Sequence, residues 1–435
     1  MRRGWPDGGL QKGSRSVIRS DVAVLGAGIV GVSTALHLQA RGRSVVLVDR
    51  RGPGEETSHG NAGLIERASV VPYAFPRSLP ELLRYASNRR IDARYHWTFL
   101  PRIAPWLFQY WRHSSPARLA EAARAMLPLI ERCLDEHRPL LQQAGITHLA
   151  RETGWLTVYR SARSLEAGEA GRAVAAAHGL DFGVLDPAQV RALEPHLEDG
   201  LAGGVHWRDP VSVSDPGAVT KGYAELFLRR GGRLVQADAR SLQPGEDGWS
   251  LQGPDGPVLA RDAVVALGPW SLDLLRPLGY RLPLAVKRGY HMHYRPRRNA
   301  VLHRPVLDDD QGFLLTPMAR GVRLTTGVEM GHRDAPPTPV QLQAAEAAAR
   351  TLFPLEARVD DRPWMGARPC LPDMRPVIGP APRHKGLWLA FGHAHHGFTL
   401  GPVTGRLLAE MITGGGTVVD PSPYRADRFQ AGLTG

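Results

Sequence analysis

Two cysteines, Cys133 and Cys370, are all that this chain of 435 residues carries. A disulfide framework, a four-cysteine zinc site and an iron–sulfur cluster held by this chain alone are therefore excluded, and a reducing compartment fits. No run of 18 apolar residues occurs, which argues against a membrane-crossing helix, and the first twenty residues lack the apolar stretch of a signal peptide. A cytoplasmic protein is the expectation. Lysine is almost missing: of 54 basic residues, all but Lys12, Lys221, Lys287 and Lys385 are arginines. These arginines are interleaved with acids and not striped with aromatics, so the net charge of +12 does not indicate a nucleic-acid groove. Weak attraction to an anionic membrane face, as a peripheral protein, stays compatible with it.

The chain does contain an alternation of buried strands and amphipathic helices. Residues 1–20, rich in Gly, Arg and Ser, read as a mobile extension. "DVAVL" (21–25) reads as a buried strand, the segment after "GAGIVG" as a helix with Val32, Ala35, Leu36 and Leu38 on its apolar side, and "SVVLVD" as a second strand ending at Asp49. From about 73 to 205 the character turns helical, like an inserted domain. Ser115-Pro116 there forms a helix start, and Pro128 and Pro139 are expected to kink or end that helix. The aromatic stretch 96–111 suits a core or pocket lining better than a membrane surface. Asp215-Pro216 opens another helix, "RLVQAD" and "DAVVAL" give strands, and 283–328 supplies "GYHMHY", "GFLLTPM" and "GVRLTTGVEM", an antiparallel pattern. The chain closes with a strand, a glycine-rich turn and a helix from about Gly401 to Ile412.

Gly26-Ala27-Gly28-Ile29-Val30-Gly31 is a G-x-G-x-x-G between a strand and a helix, and Asp49 ends the next strand. Gly26 allows the tight turn, Gly28 lets the backbone approach a pyrophosphate, Gly31 lets the helix pack closely, and the helix N-terminus offers N–H groups to anions. Asp49 accepts from a ribose hydroxyl. The motif does not separate NAD from FAD. Three further segments favour FAD: "EETSHGNAGLI" with Thr57, Ser58 and Asn61, the strand leading to Gly268, and the final glycine turn, each returning the chain to an extended cofactor.

The marks "VLGAGIVG", "VDR", "ETSHGNAG", "DAVVALGPWS", "RGYHMHY", "WMGARPCLPDMRPVIG" and "GHAHHGFTLGPVTG" resemble the FAD-dependent D-amino-acid oxidase superfamily, and within it the D-amino-acid dehydrogenases, from Asp21 to about Gly414. The resemblance implies an α/β chain of two domains. A Rossmann-type FAD domain is assembled from 21–75, 206–275 and 362–435, interleaved with a substrate domain of antiparallel sheet and helices from 76–205 and 276–361. It extends the cofactor contacts to Ile29, Val30, Arg50, Ala62, Gly63, Ala239, Gly268, Trp270, Gly392, His393, Gly397, Phe398 and Thr399. It implies hydride transfer from the Cα of a D-amino acid, or a D-proline or hydroxyproline analogue, to flavin N5. Electrons pass to a quinone or another carrier. An oxygen-using amine oxidase of glycine or sarcosine type is the alternative, and an FAD-carrying subunit of a larger complex a third. Arg368 falls at the carboxylate clamp. Period-2 alternation in "KRGYHMHY" separates Tyr290 from His291, leaving open which face looks at the flavin: Tyr290 as hydroxyl donor to the carboxylate and His291 as amine contact are alternatives. Gly366, not Cys370, falls where related sarcosine oxidases attach flavin covalently, so FAD is expected to be non-covalent.

His393, His395 and His396 crowd one turn. Such a turn does not readily aim three imidazoles at one ion, and no acid lies nearer in sequence than Glu410, so no metal is expected. The resemblance places this turn beneath the flavin's N1–C2=O edge, where the N–H groups of 397–399 and the helix dipole stabilise negative charge. His393 then belongs to the turn, and His396 is the one expected to reach the substrate.

Overall fold

The opening strand starts earlier than its apolar run. Ile18–Leu25 is extended throughout, because Ile18, Arg19 and Ser20 pair in parallel with Val258, Leu259 and Ala260. The computed structural model describes residues 17–432; of the extension expected over 1–20, residues 1–16 lie outside the described residues and Ile18 to Ser20 are strand.

Five parallel strands stand side by side in the order Arg233–Gln236, Val45–Asp49, Ile18–Leu25, Pro257–Val265 and Leu387–Phe391. Antiparallel strands at Gly248–Gln252 and Val377–Pro380 extend the sheet. Its central strands read as unbroken apolar runs because both faces are covered. Val22, Val24 and Leu47 pack under helices on one side, while Ala23, Leu25, Val46 and Val48 fill a second core on the other. The helices Ile29–Gln39 and Gly397–Thr413 approach closely at glycines: a Cβ at Gly405 would lie 2.6 Å from the Ser33 carbonyl carbon. The closing helix begins at Gly397, four residues before the expected start.

The second sheet has eleven strands and is mostly antiparallel. Its spine is Ala285–Pro296, paired with Gly321–Thr325 on one side and Trp364–Cys370 on the other. Together the two sheets make a two-domain α/β fold. Trp364–Cys370 corrects the expected boundary at 362, since all seven of its residues pair with Ala285 to His291. The 76–205 segment is also less purely helical than its composition suggests. Trp155–Tyr159, Phe182–Leu185 and Gly203–Trp207 are strands of this sheet, and the first is buried at every residue, so it shows no alternation for sequence to reveal. Pro128 and Pro139 both sit inside helices, Pro116–Glu131 and Cys133–Ala144, and the break falls between them at Arg132.

The aromatic stretch divides. Trp106 and Tyr110 are buried, but Trp97 and Phe108 are 63% and 59% exposed, so core lining describes only part of it. No helix among the described residues is long and apolar enough to cross a membrane.

Candidate active site

Strands of a parallel sheet end together, and the crevice beyond their carboxyl ends is where such folds bind ligands. At this edge opens a cavity of about 1070 Å³, at the top of the roughly 300–1,000 Å³ range of ordinary small-molecule sites. Gly26 turns the chain at φ +106°, a conformation L side chains rarely adopt, directly against the Ala266 carbonyl. Gly28 caps the first helix and has only Ser58 Oγ near it, 3.2 Å from where a Cβ would stand. Gly31 lies outside the cavity lining, where any Cβ would collide with the Gly26 carbonyl. Ile29 and Val30 line the cavity, and Ile29 N–H donates to Ser58 Oγ at 3.0 Å. Asp49 accepts from the N–H groups of Ala27 and Arg51, each at 2.8 Å. These bonds fix its carboxylate at the cavity wall, and each oxygen keeps a second lone pair for a ligand hydroxyl.

The next loop is braced internally. Thr57 Oγ1 donates to the Ala367 carbonyl at 3.0 Å, and Asn61 links Ser58 O to Gly63 N–H. Thr57, Ser58, Asn61 and Ala62 line the cavity; Gly63 stands behind them, its carbonyl accepting from Val213 N–H. Arg50 lies 4.4 Å over the Trp270 ring, and both line the cavity with Ala239 and Gly268. From the third segment come His393, Gly397, Phe398 and Thr399, while Gly392 (φ +84°) makes the turn behind them against Leu371. His393 pairs with Thr404 Oγ1 at 3.0 Å, and burial pushes its pKa down to about 3. A second buried histidine, His137, bonds the Phe398 carbonyl at 2.9 Å and the Tyr223 hydroxyl at 3.0 Å, so the helical segment props up this turn. Helix first-turn N–H groups have no intrahelical partner. The wall therefore offers donors to an anion beside a glycine cradle and a fixed carboxylate, which fits a dinucleotide.

Arg368 lines the other end of the cavity. Its guanidinium donates to the carbonyls of Gly327 at 3.0 Å and of Arg288 and Thr326 at 3.4 Å, and no carboxylate among the described residues pairs with it. Burial lowers its pKa from the ordinary guanidinium value. Of the alternatives at "KRGYHMHY", Tyr290 is the one that lines the cavity. Tyr290 is fully buried, and its hydroxyl donates to Glu329 at 2.9 Å while accepting from Arg288 and Thr338 N–H at 2.8 Å. A hydroxyl committed to that buried ion pair has no hydrogen left for a substrate carboxylate. His291 is stacked under Trp364 at 4.8 Å, bonded to the Gly60 carbonyl, and outside the cavity lining; burial takes its pKa down to about 2. The cavity-facing residues of that strand face are Lys287 and Gly289, and Lys287 was not among the expected site residues. Its ammonium lies 4.1 Å from the Tyr110 ring centroid. His396 is buried behind the lining, while His395 faces the cavity with Tyr73 tilted against it at 4.9 Å. Glu66, which no sequence pattern marks, lines the same wall. Burial raises its carboxyl to about 7 and lowers His396 to about 4 and His395 well below the usual imidazole value.

Residues 21–411 match the family model of the FAD dependent oxidoreductases, DAO. The chain belongs to that family. It is 30% identical over 427 residues to a D-amino acid dehydrogenase of Paramagnetospirillum magneticum, covering 95% of this chain and 99% of that protein. It is 29% identical over 423 residues to a D-amino-acid oxidase of Bradyrhizobium diazoefficiens, covering 94% and 98%. Among solved structures, glycine oxidase from Geobacillus kaustophilus superposes with a TM-score of 0.72 at 22% identity, over 94% of this chain and 99% of that one. This DAO member is thus an FAD-dependent oxidoreductase of the amino-acid kind, with a parallel FAD-binding sheet and a mostly antiparallel second sheet.

Proposed function

We propose that the chain oxidatively deaminates D-amino acids, or D-proline analogues, as a dehydrogenase with non-covalent FAD. The observation that carries this reading is Arg368: a half-buried side chain whose guanidinium lines the cavity and, among the described residues, hydrogen-bonds only to backbone carbonyls is left with charge for an incoming carboxylate. Acceptance of the hydride leaving Cα is the chemistry that FAD would supply when bound. The protein's own part is to grip the carboxylate with Arg368, exclude water with the Trp364 and Tyr110 walls, and present donors from the 397–399 turn where negative charge develops.

Cys370 also lines the cavity, but burial raises its thiol pKa, which keeps it protonated and unreactive. That supports FAD released on unfolding. The acceptor reading rests on the helix Leu79–Ala86, which turns Leu82 and Tyr85 to the cavity and leaves Leu79 and Leu83 outward, 68% and 63% exposed. Arg77, Arg84 and Arg89 are exposed around it. Apolar side chains rimmed by arginines suit the surface of an anionic membrane, where quinones reside. The named oxidase relative favours oxygen as the competing acceptor; peroxide formation under air, compared with quinone reduction, separates the two. The deamination itself is tested by anaerobic reduction of the flavin with a panel of amino acids.

A further inference from the structure

The turn whose histidines lack an acid in sequence gains one in space. Glu66 follows the short strand Leu64–Ile65, and its N–H donates to Thr399 Oγ1 at 3.1 Å, which brings it against the 393–399 turn. One carboxylate oxygen of Glu66 and one ring nitrogen each of His395 and His396 lie within 4.8 Å of one another. We propose that Glu66, His395 and His396 form a binding site for one divalent cation of the zinc type.

One observation independent of that convergence supports a ligand there. His395 Nε2 and His396 Nδ1 have no hydrogen-bond partner among the described residues, although His396 is 96% buried. An unpaired buried imidazole nitrogen is costly to leave so. The two imidazole rings already lie against each other, centroids 3.9 Å apart, and zinc–nitrogen bonds of about 2.1 Å in a tetrahedron separate ligand atoms by about 3.4 Å. The donor set matters too: two neutral imidazoles and one carboxylate suit zinc, nickel or cobalt better than calcium or magnesium, which prefer all-oxygen shells. The ring of His395 is held by Tyr73, and the main chain of Glu66 by Thr399.

Two cations oppose binding. Arg368 and Lys287 both act on His395 through space, and the single negative charge of Glu66 does not cancel a dication. Affinity therefore depends strongly on Glu66. Because Glu66 and His395 line the cavity, a fourth position on the ion faces its contents, so an anionic or amine group there can complete the shell. This inference stands apart from the amino-acid reading, since it concerns metal binding by the resting protein.

The test is calorimetric titration of zinc chloride into the full-length protein as purified, after dialysis against EDTA, with nickel and cobalt as comparison ions. The expected result is one equivalent bound, weakened at least about tenfold in Glu66→Gln and in His395→Ala, the scale on which even groups supporting metal ligands act. Flavin absorbance and thermal midpoint confirm that each variant is folded. Glu66→Gln is nearly isosteric, so it decides the matter if His395→Ala loses its flavin. No binding, or equal stoichiometry and affinity in wild type and variants, overturns the proposal by assigning any zinc to the other histidines of the chain.

Discussion

Lys287 and Arg368 stand directly opposite one another on adjacent antiparallel strands, and both side chains line the cavity. Residues paired in this way project to one face of a sheet, so two cations share one wall with no carboxylate ion-paired to either among the described residues. Under the proposed function, Arg368→Lys keeps the charge but loses the planar fork. Steady-state kinetics should show kcat/KM falling by roughly 10²-fold or more, mostly through KM, with flavin content unchanged. Unaltered KM would remove Arg368 from the substrate.

Gly31→Ala should empty the cofactor site. The added methyl points at the Gly26 carbonyl, so the first helix must move away from the strand it follows, and the turn that approaches the pyrophosphate moves with it. Flavin-to-protein ratio after gel filtration reads this out, and a fully loaded variant would show that the turn is not the cofactor cradle.

Acid should loosen the helical segment. His137 is buried with its pKa lowered to about 4 by desolvation, below the unfolded value of 6.5, so it contributes stability in full above pH 6.5 and loses it as pH falls from there through 4. The loss is roughly 3 kcal/mol for a shift of this size. Denaturant midpoints from pH 7.5 to 4.5 should fall less steeply in His137→Gln than in wild type. Parallel slopes would mean that His137 is not the group being charged.

Leu79 and Leu83 are exposed in the native chain, so Leu79→Asp with Leu83→Asp should leave folding and flavin content intact. Sedimentation with phosphatidylglycerol vesicles should drop at least tenfold, with little binding to neutral vesicles by either protein. Equal binding would place the membrane contact elsewhere or nowhere.

Legibility from sequence followed the range of the interactions. The Gly26 to Gly31 turn, the Ile29–Gln39 helix and Asp49 were readable because neighbours within one βαβ unit carry the whole signal. Trp155–Tyr159 was not, since a strand buried at every residue has no period. Tyr290 and His291 were correctly put on opposite faces by alternation. Only the packed structure shows that Glu329 takes the Tyr290 hydroxyl and that Trp364 covers His291. Lys287 could have been picked from the same alternation, being on the face that carries Gly289. Glu66 could not: it meets His395 across more than three hundred residues, and nothing local marks it.

Anaerobic mixing of the purified flavoprotein with D-amino acids, their L-enantiomers and N-methyl amino acids tests the central claim most directly. The account predicts that D-amino acids bleach the flavin's visible absorption, that L-enantiomers leave it unchanged, and that Arg368→Lys needs far higher substrate for the same effect. A flavin reduced by L- or N-methyl amino acids but untouched by every D-amino acid would contradict it.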